Sequence, residues 1–226
     1  MKVSSGTYNE DLTLKSGICL EGVGIDQTVI SKAGAPGISG DDVSYVVIKN
    51  LTVKNSGCAP GSCGGGGDGG GIRLSESSNI TLSSCRLTAN AANNGGGMFV
   101  SGGSVTVAHC LIDANTATNT GGGMVAESNA NVTLTNVTVA NNTWSNPLGD
   151  GAVGGIRSYG ASIQIANSIL WGNNGDNLSG AGLSATNSDI QGWSSGTNSA
   201  SSNPDFTSAT DYHLQPSSTA EGMGLY

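Results

Sequence analysis

Arg73, Phe99, Val125 and Arg157 recur at intervals of 26, 26 and 32 residues, each just after the apolar residue that closes a glycine run. The runs read GGGIRL at Gly69–Leu74, GGGMFV at Gly95–Val100, GGGMVA at Gly121–Ala126 and, more loosely, GGIRSY at Gly154–Tyr159. A guanidinium fork holds carboxylates or hydroxyls, and an aromatic ring offers a flat face on which a ligand ring stacks. Trp144 could supply a second such ring. The acids nearby are Asp68, Glu76, Glu127 and Asp150. Two carboxyls about 5–9.5 Å apart could cleave a glycosidic bond, and a cluster of acids could hold Ca²⁺. Either chemistry requires a fold that brings residues 26 apart in sequence side by side.

The elements that must do this are short strands. Behind each glycine run comes a second phrase: NITLSSCRLTAN from Asn79, SVTVAHCLIDAN from Ser104, NVTLTNVTVANN from Asn131 and SIQIANSILWGNN from Ser162. In one repeat, Met98–Val100, Val105–Val107 and Cys110–Ile112 alternate apolar and small polar residues, as strands with one buried face do. A fixed period of this size without helical patterning is the mark of a solenoid. Three strands per coil, stacked in parallel, give an all-β, right-handed parallel β-helix. Ile72, Met98, Met124 and Ile156 then form one interior column, and Leu82, Val107, Leu134 and Ile165 another. Between second and third strands stand Asn50, Ser84, His109, Asn136, Asn167 and Asn187. A tight corner there favours Asn, which tolerates left-handed backbone, and the expectation is an internal ladder of paired amides. The same corner and strand-edge chemistry accounts for the sequons at Asn50, Asn79, Asn131, Asn136 and Asn141 better than glycosylation does.

Composition sets the bounds. The 37 glycines, 4% aromatic and 11% charged residues are unlike an ordinary globular domain, while apolar residues kept in register argue against disorder. A net charge of −8 speaks against nucleic acid and anionic membrane as partners, and disfavours polyanionic sugars unless a cation bridges. No apolar run approaches the roughly 20 residues that span a bilayer, so no membrane insertion is expected. One domain accommodates the 226 residues: a β-helix of six or seven coils over 1–200 and a capping segment over 201–226. The chain is expected to act as a monomer.

Here the residues carry a family likeness. The opening VSSGTYNEDLTLKSGICLEGVGIDQTVI resembles the first coils of the pectate-lyase-like β-helix superfamily. NSILWGNN at Asn167, NSDIQGW at Asn187 and NPDFTSATDYHLQPSSTAEGMG at Asn203 resemble the closing segment of bacterial secreted right-handed β-helix repeat proteins. The close departs from that pattern, with Ser217, Ser218, Thr219 and Ala220 where Gly-Ser-Pro-Ala would stand. The resemblance implies an extracellular or cell-surface protein, and a polysaccharide bound on the first parallel sheet between flanking loops. It also implies a leader, yet Met1 runs almost directly into GTY, so the expectation is a chain whose leader has been removed.

Two insertions suit such a groove. Residues 56–70 (SGCAPGSCGGGGDGG) and Thr143–Val153 (TWSNPLGDGAV) occupy equivalent places, with only short connections between them. They predict two walls on one rim, with Arg73, Phe99, Val125 and Arg157 as the floor, and Trp144 reaching over from the second wall. The catalytic signal is thinner. Arg73 and Arg157 lie three coils apart, about 14 Å, too far to share one bond; Glu76 and Glu127 lie two coils apart, roughly 10 Å. Asp68 and Asp150 sit in separate walls, so no Ca²⁺ ligand cluster emerges and no cofactor or metal is expected. His109 belongs to the corner and His213 to the closing motif. Cleavage of the sugar, by a lyase or a glycoside hydrolase, stays open. Rival readings are a structural or adhesive surface module and an ice-binding face on the second strands, whose outward residues include Thr81, Thr106, Thr133 and Gln164. Cys58 and Cys63 could close a disulfide, Cys85 and Cys110 read as stacked buried thiols, and Cys19 is left over. The tail from Asn203 is expected to fold back over the open end of the stack, where bare strand edges would invite polymerisation.

Overall fold

The computed structural model describes residues 1–58, 67–145, 152–193 and 195–220. Alternation along each repeat resolves into three parallel sheets wound around one shaft. The first sheet stacks seven strands: Leu12–Thr13, Ile38–Asp41, Ile72–Ser75, Met98–Ser101, Met124–Glu127, Val153–Tyr159 and Asp176–Gly180. The second also has seven, from Cys19–Glu21 to Leu183–Thr186, and the third eight, from Gly6–Tyr8 to Asp189–Ile190. Among the described residues there is no helix. Parallel strands need a crossover for every pairing, and a coil that runs through all three sheets supplies it. The chain is a right-handed parallel β-helix.

Register places like on like. Met98 lies between Ile72 and Met124, and Ile156 follows; Val107 lies between Leu82 and Leu134, and Ile165 follows. All eight are at most 2% exposed. Each such side chain contributes about 1.5–3 kcal/mol on burial, and no single coil could bury its own.

The corner between second and third sheets is left-handed, as the sequence predicts: φ is 56° at Asn50, 50° at Ser84, 53° at His109, 54° at Asn136, 50° at Asn167 and 48° at Asn187. The ladder expected there is absent. These side chains point outward, and His109 Nδ1 and Asn136 Nδ2 lie 3.4 Å apart. The amide ladder stands instead where the chain leaves the third sheet, at Asn90, Asn115, Asn142 and Asn173, all buried. Asn115 Nδ2 donates to Asn142 Oδ1 (2.9 Å) and to Leu87 O (2.9 Å), while Asn115 Oδ1 accepts from the backbone N–H and side-chain amide of Asn90 (both 3.0 Å). The reason is local. In each corner the residue at positive φ turns its own Cβ outward and delivers the next one into the shaft. Ala89, Ala114, Asn141 and Gly172 hold φ of 53°, 53°, 54° and 68°, and the Asn after each goes inward. After the other corner the inward residues include Cys85 and Cys110, where the Cys85 N–H points at Cys110 Sγ (3.4 Å) and neither thiol is in a disulfide.

A fourth sheet departs from the three-strand expectation. Ala91–Asn94, Thr116–Thr120 and Thr143–Trp144 pair in parallel, so the short connections are themselves strands. Trp144 lies in this sheet opposite Ala117 and is half-buried, so it is part of the stack and does not overhang it. Gly57 bridges Ala91 in the same column. The described roots of both insertions therefore leave from one side of the coil, three rungs apart.

The tail differs too. Thr197 and Ala200 add a last partial rung beside Thr186 and Asp189, and half-buried Trp193 packs against the core. Beyond them the described part of the tail runs along the outer face of the third sheet, where Tyr212 packs with Phe206 on Leu111 and Ala140. Asn141 Nδ2 donates to Ala209 O (2.8 Å) and to Tyr212 Oη (3.1 Å), and Ser202 N–H to Asp189 Oδ1 (3.1 Å). That face carries Leu111, Ala140 and Ile169, all buried, and apolar residues pointing outward need a cover more than the end of the stack does.

Candidate functional site

The first sheet brings the repeated residues into one column. Phe99 lies between Arg73 and Val125, and Arg157 follows Val125. Ser39 precedes the column and Ser179 ends it. Arg73 and Arg157 are half-buried. Phe99 is 5% exposed and Val125 0%, which corrects the expected floor: neither presents an open face for stacking. At Val125 the cause lies in its glycine run. Gly121, at φ 64°, brings the incoming chain back over its own strand so tightly that a Cβ there would sit 2.4 Å from Val125 Cγ2. At Gly69, φ 72°, a Cβ would sit 2.9 Å from Arg73 Cβ. These glycines thus let the backbone lie against the outward side chains of Val125 and Arg73.

What reaches the surface is the pair of guanidinium groups. Arg157 Nη1 donates to Ser179 Oγ (3.0 Å), and its guanidinium carbon lies 4.6 Å from the centre of the Tyr159 ring. The Nε atoms of Arg73 and Arg157 are buried and have no hydrogen-bond partner, and among the described residues neither arginine pairs with a carboxylate. Arg86, the third arginine of the chain, is by contrast bound through Nε and Nη2 to Asp113 at 3.0 and 2.7 Å. Arg73 and Arg157 stand three rungs apart, about 14 Å.

The acids do not assemble. Glu127 ends its strand level with Ser101 and accepts from the Ser101 hydroxyl (3.3 Å). Glu76 stands one position further round the corner, at φ 47°, so the two are not in one column as expected. Asp68 Oδ1 accepts from the backbone N–H (3.1 Å) and amide (2.8 Å) of Asn94, whose Oδ1 accepts from Asn119 Nδ2 (2.9 Å). This polar row, beside the glycine runs and across the fourth sheet, went unread in the sequence because Asn93–Asn94 looked like a connection. Asp150 and Cys63 lie outside the described residues; Cys58 is disulfide-bonded. Among the described residues no three His, Cys, Asp or Glu side chains come together as a metal site. On the second sheet Thr81, Thr106 and Thr133 do align, but Val47 and Gln164 bound them, so the array is three rungs long.

The family profile described as "Right handed beta helix region" matches residues 7–203. Among solved structures the chain is similar to pectin methylesterase PemA from Erwinia chrysanthemi, at 14% identity and a TM-score of 0.50, over 82% of this chain and 60% of that one. It is similar in the same measure to a pectin methylesterase in complex with a hexasaccharide: 15% identity, TM-score 0.50, 82% and 60% coverage. The chain thus spans 60% of the length of those structures, and at such identity the likeness is one of fold. No curated protein matches the sequence.

Proposed function

Because the chain belongs to the right-handed β-helix family, we propose that it binds an acidic polysaccharide along the outer face of its first sheet. The observation that carries this is the pair Arg73 and Arg157, in one column and without a carboxylate partner among the described residues, in a chain of net charge −8. An unpaired guanidinium beside buried backbone is costly to keep unless something anionic or hydroxyl-rich meets it. Acids off this face repel a polyanion only weakly, since charges more than about 8–10 Å away are screened at physiological salt, whereas Glu127, one rung from Arg157, opposes it. Two groups about 14 Å apart suit an extended chain that touches them through different sugar units. The structural neighbours, named as enzymes acting on pectin, one of them with a bound hexasaccharide, support a sugar polymer as ligand. The disulfide at Cys58 supports an extracellular or cell-surface setting. No helix of the described residues is long and apolar enough to cross a membrane.

The test is affinity electrophoresis in gels containing polygalacturonate, pectin or a neutral glucan. Polygalacturonate is expected to retard the protein and the glucan is not. Arg73→Ala with Arg157→Ala should abolish the retardation, and an unchanged mobility shift in that double variant would sink the reading. Release of methanol, unsaturated products or reducing ends from the same polymers measures whether binding leads to cleavage.

A further inference from the structure

On the other side of the shaft the tail leaves a cleft. It has a volume of about 460 Å³ and is floored by Arg86 and Leu111 of the third sheet. One wall is Ile25–Asp26 and the other Thr210–His213. Both walls are fastened to the sheet. The Thr52 hydroxyl, one rung before Arg86, donates to the Ile25 carbonyl, and Asn141 ties the tail down through Ala209 O and Tyr212 Oη. The cleft is therefore built before any ligand arrives, and its size falls in the range of small-molecule sites.

We propose that this cleft is a second binding site, for a neutral saccharide of one or two rings. Three features set the ligand class. Ile25, 36% exposed, gives an apolar surface for the C–H face of a sugar, and Leu111 and Tyr212 reach the cleft only at their edges. Arg86 spends Nε and Nη2 on Asp113, which is 3% exposed, so its charge is neutralised from behind while Nη1 remains to donate to a hydroxyl. The carboxylates of Asp26 and Asp211 stand at the rim as acceptors, and His213 Nδ1 is hydrogen-bonded to Asp211 Oδ1. That bond keeps the Asp211 carboxyl ionised to lower pH than usual, so it remains an acceptor. Two rim carboxylates around a compensated arginine repel a uronate and receive hydroxyl donors. This is the reverse of the first-sheet face, and the site does not depend on that face.

Isothermal titration of the full chain with cellobiose, maltose and lactose, against digalacturonate and glucosamine, tests it. At least one neutral disaccharide should bind. Asp26→Ala and Asp211→Ala, each removing a rim carboxylate acceptor, should each weaken it about tenfold, the loss of one hydrogen bond to a charged group. Arg73→Ala with Arg157→Ala should leave it unchanged. The proposal is overturned if no neutral sugar binds or if the rim variants bind as the parent does. It is equally overturned if digalacturonate or the amino sugar binds more tightly than the neutral disaccharides.

Discussion

The outer faces of the first and third sheets are built by the same rule and end in opposite states. Both carry an arginine in a column of otherwise apolar or small residues, repeated rung by rung. On the third sheet Arg86 is bound by the fork to Asp113, and Leu111, Ala140 and Ile169 are buried beside the C-terminal tail. On the first sheet Phe99 and Val125 are buried, Val125 against the backbone of its own glycine run, and Arg73 and Arg157 keep no carboxylate among the described residues. A strand that alternates inward and outward residues exposes one set of them, and the chain has two ways to cover an outward apolar residue. A separate segment can be laid across it, or its own incoming backbone can be brought over it. The second way needs glycine and leaves the long cationic side chains reaching out. The first way brings the Tyr212 phenol, which meets Asn141 of the coil, while the charge of Arg86 is taken up by Asp113, one rung on in the same sheet.

The largest effect should come from the ladder that both faces depend on. Asn115→Ala would strand the Asn90 N–H, the Leu87 carbonyl and part of Asn142 in the shaft, and should cost about 3–5 kcal/mol in urea denaturation. A loss below about 1 kcal/mol would mean that the strands hold the coils without it. Tyr212→Ala should separate the two faces. It removes a side chain 7% exposed and should cost about 3 kcal/mol, with the tail becoming open to proteolysis and polygalacturonate retardation unchanged. Loss of retardation in that variant would show that the two faces are coupled. Arg73→Ala and Arg157→Ala should each weaken polygalacturonate binding about tenfold; Arg73→Ala should leave the melting temperature in place, whereas Arg157→Ala gives up the Ser179 hydrogen bond and the Tyr159 contact and should lower it slightly. The smallest effect is one of pH. Burial, and then the neighbouring Asp113, raise the Tyr212 phenol above its ordinary 10.0. A raised value means that the folded state holds the proton more tightly than the unfolded one. The tail's contribution is thus complete below pH 10 and falls as pH rises past it, so proteolysis of the tail should accelerate in alkali in the parent but not in Tyr212→Phe.

The coil itself was legible because a solenoid repeats its buried column at a fixed interval. Ile72, Met98, Met124 and Ile156 name the rung, and no other arrangement buries all four. The left-handed corner was legible for the same reason, through the run of Asn, Ser and His at one place in each repeat. The Asn near the end of each second phrase is the ladder residue, but composition shows only which residue can take positive φ and not which side chain that turn delivers inward. Asp68 with Asn94 and Asn119, and Trp144 within the fourth sheet, were hidden in stretches too short and polar to read as strands.

What the sequence determined alone is periodic: parallel strands, one shaft, two insertions rooted in one column. Burial at a regular spacing is a local property repeated, and it needs no knowledge of distant residues. Only the tertiary structure decided which outward residues stay outward. Val125 lies under backbone that glycine allows to come close, and Leu111 and Ala140 lie under a tail more than 60 residues away in sequence. The contacts of the tail do not repeat, so no interval in the sequence announces them.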